Sequence, residues 1–558
     1  MRGLRQALPL RGLLPRQRPG AQRSGREARG RVRFPRRGRG GQKKGAGVLR
    51  SRPLLGLRPL CQHLPFGSHH HRGPAVTLNP GRQEQQSGRI ERILAVPATG
   101  AGYAEDLAAL QARHVPLGER FTAPALTPGF RAIREVAEAV SIGLVLETGQ
   151  VAWGDCVAVS YSGLAGRDPV FRTRDGLAAI ERLVAPALEG RELSSFRELA
   201  ALVEGLGRAR SPQDGEVSPD ARTERSEGVA DSSRRALLSA PFRAMRAASR
   251  AERDSGEDEG LLPGGRLHSA VRYGASQALL AAVALDRGVT MAEVIAREWA
   301  LPMARHPVPL HARCGHERQH SAEKMIVRRI ASLPHALVDN LPEQVGPSGG
   351  ELTRYIRWLR DRIARLGGED YRPTIHLDLY GALGQIADHQ PGRMLGQIYG
   401  WKTAAEPYPL RLESPVLLDS REAQIEAMRT LKDYVRMRGL DVQLVADEWA
   451  NSLEDIQAFL QAGAADVIQV KMPDLGGIHN AVDALLACKA GGVGAFLGGS
   501  DAETDLSARV AVHVALGAQA DLLMARPGMG VDEAISLAQN EMARTLAIVE
   551  SRPSGEAA

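Results

Sequence analysis

The chain has 558 residues, which is enough for two or more domains with sizeable hydrophobic cores. Its formal net charge is +8, but residues 1–83 contribute +19 and the remainder carries −11, which argues against a nucleic-acid-binding surface on the folded part. Four widely separated cysteines exclude a disulfide framework, and the lack of an apolar run of about 18 residues excludes a membrane helix, so we expect a soluble, cytoplasmic protein.

Residues 1–86 are rich in Arg, Gly and Pro and contain one acid within positions 1–83, Glu27. Such a composition buries too little apolar surface to offset the entropy of the chain, so it predicts a disordered arm. The arm has the composition of a nucleic-acid-binding segment or of an organelle transit peptide. The simpler interpretation is a dispensable extension or a start codon assigned too early, and we therefore do not expect nucleic acid as a partner.

Residues 87–306 combine strand patterns with later helices, which predicts an N-terminal α+β capping domain. Two β-rich runs between residues 142 and 163 are joined by ETGQ, a pattern typical of a hairpin. Residues 208–260 are polar, charged and without apolar periodicity, which predicts a disordered insertion. The sequences FRELAALVEGLG and RLHSAVRYGASQALLAAVAL flank the insertion and predict amphipathic helices.

Residues 307–558 alternate short apolar strands with amphipathic helices. The strand candidates are PVPLHARC, LPHALVD, TIHLDLYG, PLRLESP, VQLVADEW, DVIQVKMPD, GAFLGGS and ADLLMAR. Eight strand–helix units in a segment of this length predict a (β/α)8 TIM-type barrel, in which catalytic residues lie at the carboxyl ends of the strands.

Three carboxylates and a lysine occupy that place on four successive strand candidates: Asp378, Glu413, Asp447 and Lys471. Each is separated from the next by about one strand–helix unit, so the four side chains should converge on one mouth. A single acid at a strand end is more often a helix cap or an ion-pair partner, but the recurrence on adjacent strands is much harder to explain in that way. Three close carboxylates require a cation, and their hard oxygens suit Mg²⁺.

A lysine beside a divalent cation in a partly desolvated site has its ammonium form disfavoured and can act as a general base. The natural reaction is removal of a proton next to a substrate carboxylate, with the developing negative charge stabilised by the metal.

This arrangement resembles the enolase superfamily. The longer sequences VIQVKMPDLGGIHNAVDALLACKAGG, LVADEWANSLEDI, LPHALVDNL, RPGMGVDEA and NEMARTLAIV resemble the methylaspartate ammonia-lyase family in particular. The similarity covers about residues 89–207 and 261–550. It implies an enolase-like fold and the elimination of ammonia from L-threo-3-methylaspartate to give mesaconate. It also implies a homodimer that uses Mg²⁺ and is activated by K⁺.

Transferred residue by residue, the resemblance makes Asp378, Glu413 and Asp447 the Mg²⁺ ligands and Lys471 the base that takes the C3 proton. His335 becomes the second base on the opposite face of the substrate and a donor to its carboxylate, although a lone histidine is as often a hydrogen-bonded core residue. Gln469, two residues before Lys471 and so on the same strand face, is expected to bind the carboxylate that the metal holds.

Three positions depart from the family pattern. Arg313 stands where the family usually has Gln, and Ser500 and Asp501 stand where it has a Thr–Cys pair. In the family that the chain resembles, these positions contribute to binding the substrate's other carboxylate and its amino group. Asp501 near a carboxylate is unfavourable without a cation, and Arg313 can supply one, either by pairing with Asp501 or by binding the carboxylate in a bidentate fashion. We expect these two changes to compensate each other. The departures keep an alternative open, namely another enolase-superfamily lyase, racemase or cycloisomerase acting on a different carboxylate or amino acid.

Overall fold

The N-terminal part of the computed structural model contains a three-stranded antiparallel sheet. The structure describes residues 88–113, 115–207, 261–262 and 265–552. The strands are β1 (Ile90–Glu105), β2 (Arg134–Leu146) and β3 (Val151–Cys156), in the order β1-β2-β3. The predicted hairpin is confirmed, because β2 pairs with β3 through a turn in which Gly149 has a φ of 79° and donates to the Leu146 carbonyl at 2.7 Å.

Helices follow and interleave with this sheet. They span Leu107–Arg113, Thr173–Ala179, Ala185–Leu188, Phe196–Gly205, Ser269–Arg287 and Met291–Glu298, with a 3₁₀ turn at Leu117–Glu119 and a π-helical turn at Ile180–Val184. The two helices predicted beside the insertion are therefore present. The arm and the insertion themselves, residues 1–86 and 208–260, lie outside the described residues, and their predicted disorder stays a prediction.

The helix Ser269–Arg287 was predicted to be amphipathic, and this prediction is wrong. Nearly every residue from Ser269 to Ala284 is buried. It packs between the N-terminal sheet and the second half of the chain. On one side Gly154 of β3 meets Gly274 so closely that a Cβ atom on either glycine would collide with the other segment. On another side the Ser276 hydroxyl accepts a hydrogen bond from the backbone of Ile478 at 3.0 Å. A helix enclosed on all sides carries no polar face.

The second half of the described chain is a closed, parallel, eight-stranded barrel. Its strands are β4 (Leu310–His311), β5 (Ser332–Leu337), β6 (Thr374–Asp378), β7 (Leu410–Glu413), β8 (Val442–Ala446), β9 (Val467–Lys471), β10 (Gly494–Gly498) and β11 (Leu522–Met524). The order around the barrel is β4 to β11, with β11 pairing back to β4. All eight strand predictions and the (β/α)8 barrel with an N-terminal α+β region are confirmed.

Helices surround the barrel. They span Arg318–Val327, Leu341–Gln344, Gly350–Gly367, Ala382–Ile386, Pro391–Ala405, Arg421–Met437, Leu453–Ala462, Met472–Leu475, Ile478–Ala490, Asp505–Gly517 and Val531–Glu550. Three of the longer ones begin at a hydroxyl N-cap that accepts from a backbone amide of the first turn, namely Ser420, Ser452 and Thr504. Such caps satisfy one otherwise unpaired amide and fix the first residue of the helix.

The strand register aligns the carboxyl ends of the barrel strands at one mouth. Asp378 pairs with Glu413, and Lys471 pairs with Gly498, at the last positions of their strands. Strand β5, which carries His335, lies across the barrel from β9, which carries Lys471. Across the described ranges, none of the helices combines the length and apolar character needed to cross a bilayer.

Candidate active site

A pocket opens at the carboxyl ends of the barrel strands. It is lined by six of the residues predicted from the sequence: Arg313, His335, Gln469, Lys471, Ser500 and Asp501. The structure therefore brings the predicted base, the second base and the predicted substrate-binding side chains to one cavity. Residues from the loop after β3, including Ser160 and Tyr161, complete its wall.

The three predicted metal ligands are buried next to this pocket, with 0 to 2% of their surface exposed. Each contacts at least one lining side chain: Asp378 lies beside His335, Glu413 beside Gln469, and Asp447 beside Lys471. The Lys471 ammonium lies 2.7 Å from Asp447 Oδ2, and His335 Nε2 lies 3.5 Å from Asp378 Oδ2. Oxygens of Asp378 and Glu413 and a nitrogen of His335 all lie within 4.8 Å of one another.

The electrostatics of this cluster show an excess of buried negative charge. Burial and the nearby Asp447 carboxylate raise the pKa of Asp378 to about 7, against a smaller opposing effect of Lys471. Burial and the neighbouring Asp378 and Asp447 carboxylates likewise raise the pKa of Glu413. The pKa of Asp447 is lowered, because Lys471 and Arg167 outweigh the effect of its burial. Desolvation and neighbouring carboxylates thus destabilise Asp378 and Glu413 as anions.

The cluster fits a divalent cation. Neither carboxylate oxygen of Asp378 has a hydrogen-bond partner among the described residues, although both atoms are buried. Buried polar atoms normally have a partner, and hard carboxylate oxygens are the ligands that Mg²⁺ prefers. A cation at this point supplies the missing partner and removes the repulsion that raises the pKa values of Asp378 and Glu413.

Arg167, which the sequence analysis did not single out, joins the N-terminal region to this cluster. Its guanidinium contacts Asp447 at 3.1 Å, Asp474 at 2.9 Å and Glu448 at 3.5 Å, and its side chain is only 1% exposed. Burial and the Asp447 carboxylate raise the pKa of Glu448 to about 8, against Arg167. Arg167 therefore fixes the position of Asp447, whose other oxygen contacts Lys471.

His335 lies among two further buried histidines that sequence reasoning missed, His311 on β4 and His376 on β6. Burial lowers the pKa of His335 to about 3, with further contributions from Arg313 and Lys471. His376 Nε2 lies 2.5 Å from Glu413 Oε2 and holds that carboxylate. His311 and His376 precede Arg313 and Asp378 by two residues, so strand alternation could have placed them on the same face.

The three positions that depart from the family pattern lie together on the pocket wall. Arg313 and Asp501 form an ion pair, with 9% and 15% of their side chains exposed. The Ser500 hydroxyl donates to the Ala158 carbonyl at 3.0 Å and lies 3.4 Å from the hydroxyl of Ser160. Of the two contacts considered for Arg313, the pairing with Asp501 is therefore present. Arg313 Nε is buried, with no hydrogen-bond partner within the described ranges.

Comparisons with known proteins give one family. A family model for the methylaspartate ammonia-lyase C-terminus matches residues 302–551, and one for the N-terminus matches residues 88–216 and 222–300. Methylaspartate ammonia-lyase 2 of Carboxydothermus hydrogenoformans is 39% identical over 463 residues, 83% of this chain and 99% of that protein. Methylaspartate ammonia-lyase of Clostridium tetanomorphum is 38% identical over 465 residues, 83% of this chain and 100% of that protein.

Solved structures agree with this result. The crystal structure of beta-methylaspartase from Clostridium tetanomorphum, a Mg complex, matches with a TM-score of 0.68 at 38% identity, covering 83% of this chain and 100% of that chain. The Citrobacter amalonaticus methylaspartate ammonia lyase, which contains (2S,3S)-3-methylaspartic acid, matches with a TM-score of 0.70 at 35% identity over the same shares. The chain belongs to the methylaspartate ammonia-lyase family of carbon–nitrogen lyases.

Proposed function

We propose that this chain eliminates ammonia from L-threo-3-methylaspartate and gives mesaconate. The observation that carries the proposal is that Lys471 lines one pocket, three buried carboxylates contact the lining side chains of that pocket, and His335 lies on the strand directly opposite. Family membership supports the same reaction, and the Citrobacter amalonaticus relative contains the matching amino acid.

In the proposed reaction Lys471 removes the proton from C3 of the substrate. The electron pair of the C3–H bond forms the C2=C3 double bond, and the C2–N bond breaks so that nitrogen leaves as ammonia. Two observations support this role: Lys471 lines the pocket, and its amine lies 2.7 Å from Asp447 Oδ2. Arg167 in turn holds Asp447, so two parts of the chain together fix the direction of the base.

Asp378, Glu413 and Asp447 are the residues that would hold Mg²⁺, and the unpartnered oxygens of Asp378 support this assignment. When bound, Mg²⁺ supplies positive charge beside the substrate carboxylate and stabilises the negative charge that develops there. Gln469 donates to Glu413, and this contact with the cluster supports its proposed role in binding the same substrate carboxylate. His335 approaches from the opposite strand and is the proposed second base for the other C3 diastereomer.

A second candidate is an elimination, racemisation or cycloisomerisation on a related amino acid or carboxylate. The observation that favours it is the Arg313–Asp501 ion pair, which places one full charge of each sign on the pocket wall. A charged wall binds a different balance of carboxylate and ammonium groups from a wall of neutral side chains. The base and the carboxylate cluster are unchanged in this alternative.

Activation by K⁺ and assembly as a homodimer are further parts of the proposal and rest on the family resemblance alone. Dimerisation is tested by light scattering on the purified chain, where a mass of about twice that of the monomer is the expected result. Activation is tested by replacing K⁺ with Na⁺ at constant ionic strength, which is expected to lower the rate.

The direct test is incubation of the protein with Mg²⁺ and each 3-methylaspartate diastereomer. Release of ammonia and the ultraviolet absorbance of a conjugated diacid should rise together with the threo isomer. Ammonia release from a different amino acid, with none from 3-methylaspartate, would select the second candidate. A chelator control should abolish the rate, because three carboxylates without a cation cannot stabilise the developing charge.

A further inference from the structure

Three buried imidazoles lie side by side inside the barrel mouth, on β4, β5 and β6. They belong to His311, His335 and His376, whose residues are 0%, 3% and 0% exposed. The ring centroid of His311 lies 4.9 Å from that of His335 and 4.5 Å from that of His376. His311 does not line the pocket and has no part in the reaction described above, so its place next to His335 calls for a separate explanation.

The hydrogen bonds of His311 fix where its proton lies. Its Nδ1 atom is 3.1 Å from the carbonyl oxygen of Ser332, and a carbonyl can only accept, so Nδ1 carries the proton. Burial, with a smaller effect of His335, lowers the pKa of His311 well below its usual value, which makes the ring neutral. A neutral imidazole carries one proton, and Nε2 of His311 is therefore an acceptor.

The neighbouring ring must donate to this acceptor. His311 Nε2 lies 2.8 Å from His335 Nδ1, a normal hydrogen-bond distance, so the proton of His335 is on Nδ1. The remaining nitrogen, His335 Nε2, then has a free electron pair. Its 3.5 Å separation from Asp378 Oδ2 is longer than an ordinary hydrogen bond, which agrees with the absence of a proton between them.

We propose that His311 is a positioning residue that fixes His335 in the tautomer with its proton on Nδ1, so that Nε2 is always ready to accept a proton from the substrate. The proposal rests on the proposed function, because it takes His335 as the second base. In this arrangement a chain of two hydrogen bonds runs from the Ser332 carbonyl through His311 to His335. A purely structural role, in which His311 only fills space in the core, does not explain the order of donors and acceptors along these two hydrogen bonds.

A transition-metal site is the competing interpretation, since nitrogens of the three histidines lie within 4.8 Å of one another. Both nitrogens of His311 already take part in hydrogen bonds, and His376 Nε2 lies 2.5 Å from Glu413 Oε2. Among the described residues, His376 Nδ1 has no hydrogen-bond partner and His335 Nε2 keeps a free electron pair, whereas His311 offers no free nitrogen, so the three rings cannot all act as ligands. A metal ligand must present a free electron pair, so the geometry favours the two hydrogen bonds that join Ser332, His311 and His335 over a metal site.

Two substitutions at one position separate positioning from packing. His311→Phe keeps an aromatic ring and removes both hydrogen bonds. His311→Gln keeps both, because its amide can donate to the Ser332 carbonyl while its oxygen accepts from His335. The full chain is labelled with ¹⁵N-histidine, and the ring signals of His335 are assigned by their loss in His335→Asn.

The expected result is a protonated Nδ1 and an unprotonated Nε2 on His335 in the wild-type chain and in His311→Gln. In His311→Phe the proton is expected to shift toward Nε2. The rate on the erythro diastereomer relative to the threo diastereomer is expected to fall at least about tenfold in His311→Phe and to be restored in His311→Gln, because a general base in the wrong tautomer cannot accept the proton.

The outcomes are distinguishable. An unprotonated Nδ1 on His335 in the wild-type chain overturns the inference and needs no variant, so a failure of His311→Phe to fold leaves the test intact. An unchanged diastereomer ratio in folded His311→Phe, or a stoichiometric transition metal in the wild-type chain that His311→Phe loses, overturns it as well. Absence of ammonia release from either diastereomer by the wild-type chain would contradict the proposed function instead, while the ¹⁵N signals still decide the tautomer.

Discussion

Arg313 and Asp501 form an ion pair although 188 residues separate them in the sequence. Arg313 follows β4, and Asp501 lies in the loop after β10, so the pair bridges the mouth across the intervening strand β11. Both side chains are largely enclosed, and Arg313 Nε is left without a hydrogen-bond partner within the described residues. The pair therefore neutralises its own charges and leaves one buried donor of Arg313 without a partner among the described residues.

The first prediction is that Arg313 and Asp501 are energetically coupled. Arg313→Gln or Asp501→Cys alone leaves the other charge enclosed without a partner, which should lower kcat/KM on the preferred substrate. The sum of the two single losses should therefore exceed the loss measured in the double variant. We expect a coupling free energy of about 0.5–3 kcal/mol in a double-mutant cycle. Strictly additive losses would show that the two residues act independently. Ser500→Thr, which keeps the hydroxyl, serves as a neighbouring control.

The second prediction concerns Lys471. Lys471→Ala should lower kcat on L-threo-3-methylaspartate by about 10²–10⁴-fold, the usual contribution of a positioned general base. The rate on the erythro isomer should be much less affected, because His335 approaches from the opposite strand. Ammonia release from each diastereomer measures both rates. Lys402→Ala on the exposed face of the helix Pro391–Ala405 is the matched control and should change neither rate. Equal losses on both isomers would contradict the two-base arrangement.

The barrel and its carboxylates were predictable because the strand–helix unit repeats along the sequence, with a charged residue at the end of several strands. Asp378, Glu413 and Lys471 are the last residues of short strands, and Asp447 directly follows one, so the repeat is visible in the sequence whatever the tertiary contacts are. His376 also carried a signal, since strand alternation places it on the face of Asp378.

Other parts of the site had no local signal. Arg167 comes from a loop after β3 and reaches the cluster only because the N-terminal region docks over the barrel mouth. The burial of the helix Ser269–Arg287 was also not predictable from its sequence. Its pattern suggested one apolar face, whereas the fold buries nearly every residue from Ser269 to Ala284. Contacts between distant segments decide such positions, and periodicity within a segment does not report them.

The third prediction is that Arg167 is required for stability as well as for the position of Asp447. Arg167→Met retains an apolar stem but leaves Asp447, Glu448 and Asp474 without their shared cation. Removing one partner of a buried ion cluster costs about 3–5 kcal/mol of unfolding free energy. Chemical denaturation measures this loss. Arg429→Met, which breaks an exposed pair with Glu426, should leave the unfolding midpoint unchanged. Equal midpoints for the two variants would show that Arg167 is not structural.

The fourth prediction links pH to metal binding through Asp378. Its pKa rises from 3.8 to about 7 in the folded, metal-free chain because of burial and the Asp447 carboxylate. A carboxyl group whose pKa is raised on folding stabilises the fold fully below the unfolded value, and this contribution is lost as pH rises through the folded value. The metal-free protein should therefore lose stability from this group between pH values of about 4 and 7.

Mg²⁺ should reverse this loss, because it binds the ionised carboxylate in competition with protons. The increase in melting temperature on adding Mg²⁺, relative to a chelator, should be small at about pH 5 and should grow toward about pH 8. At a free Mg²⁺ concentration of about 100 times Kd, the stabilisation is about 2.7 kcal/mol. Asp378→Asn should abolish both the increment and its pH dependence, whereas Asp361→Asn, on an exposed helix face, should preserve them. A Mg²⁺ increment that is constant over this range would show that Asp378 is not protonated in the metal-free chain.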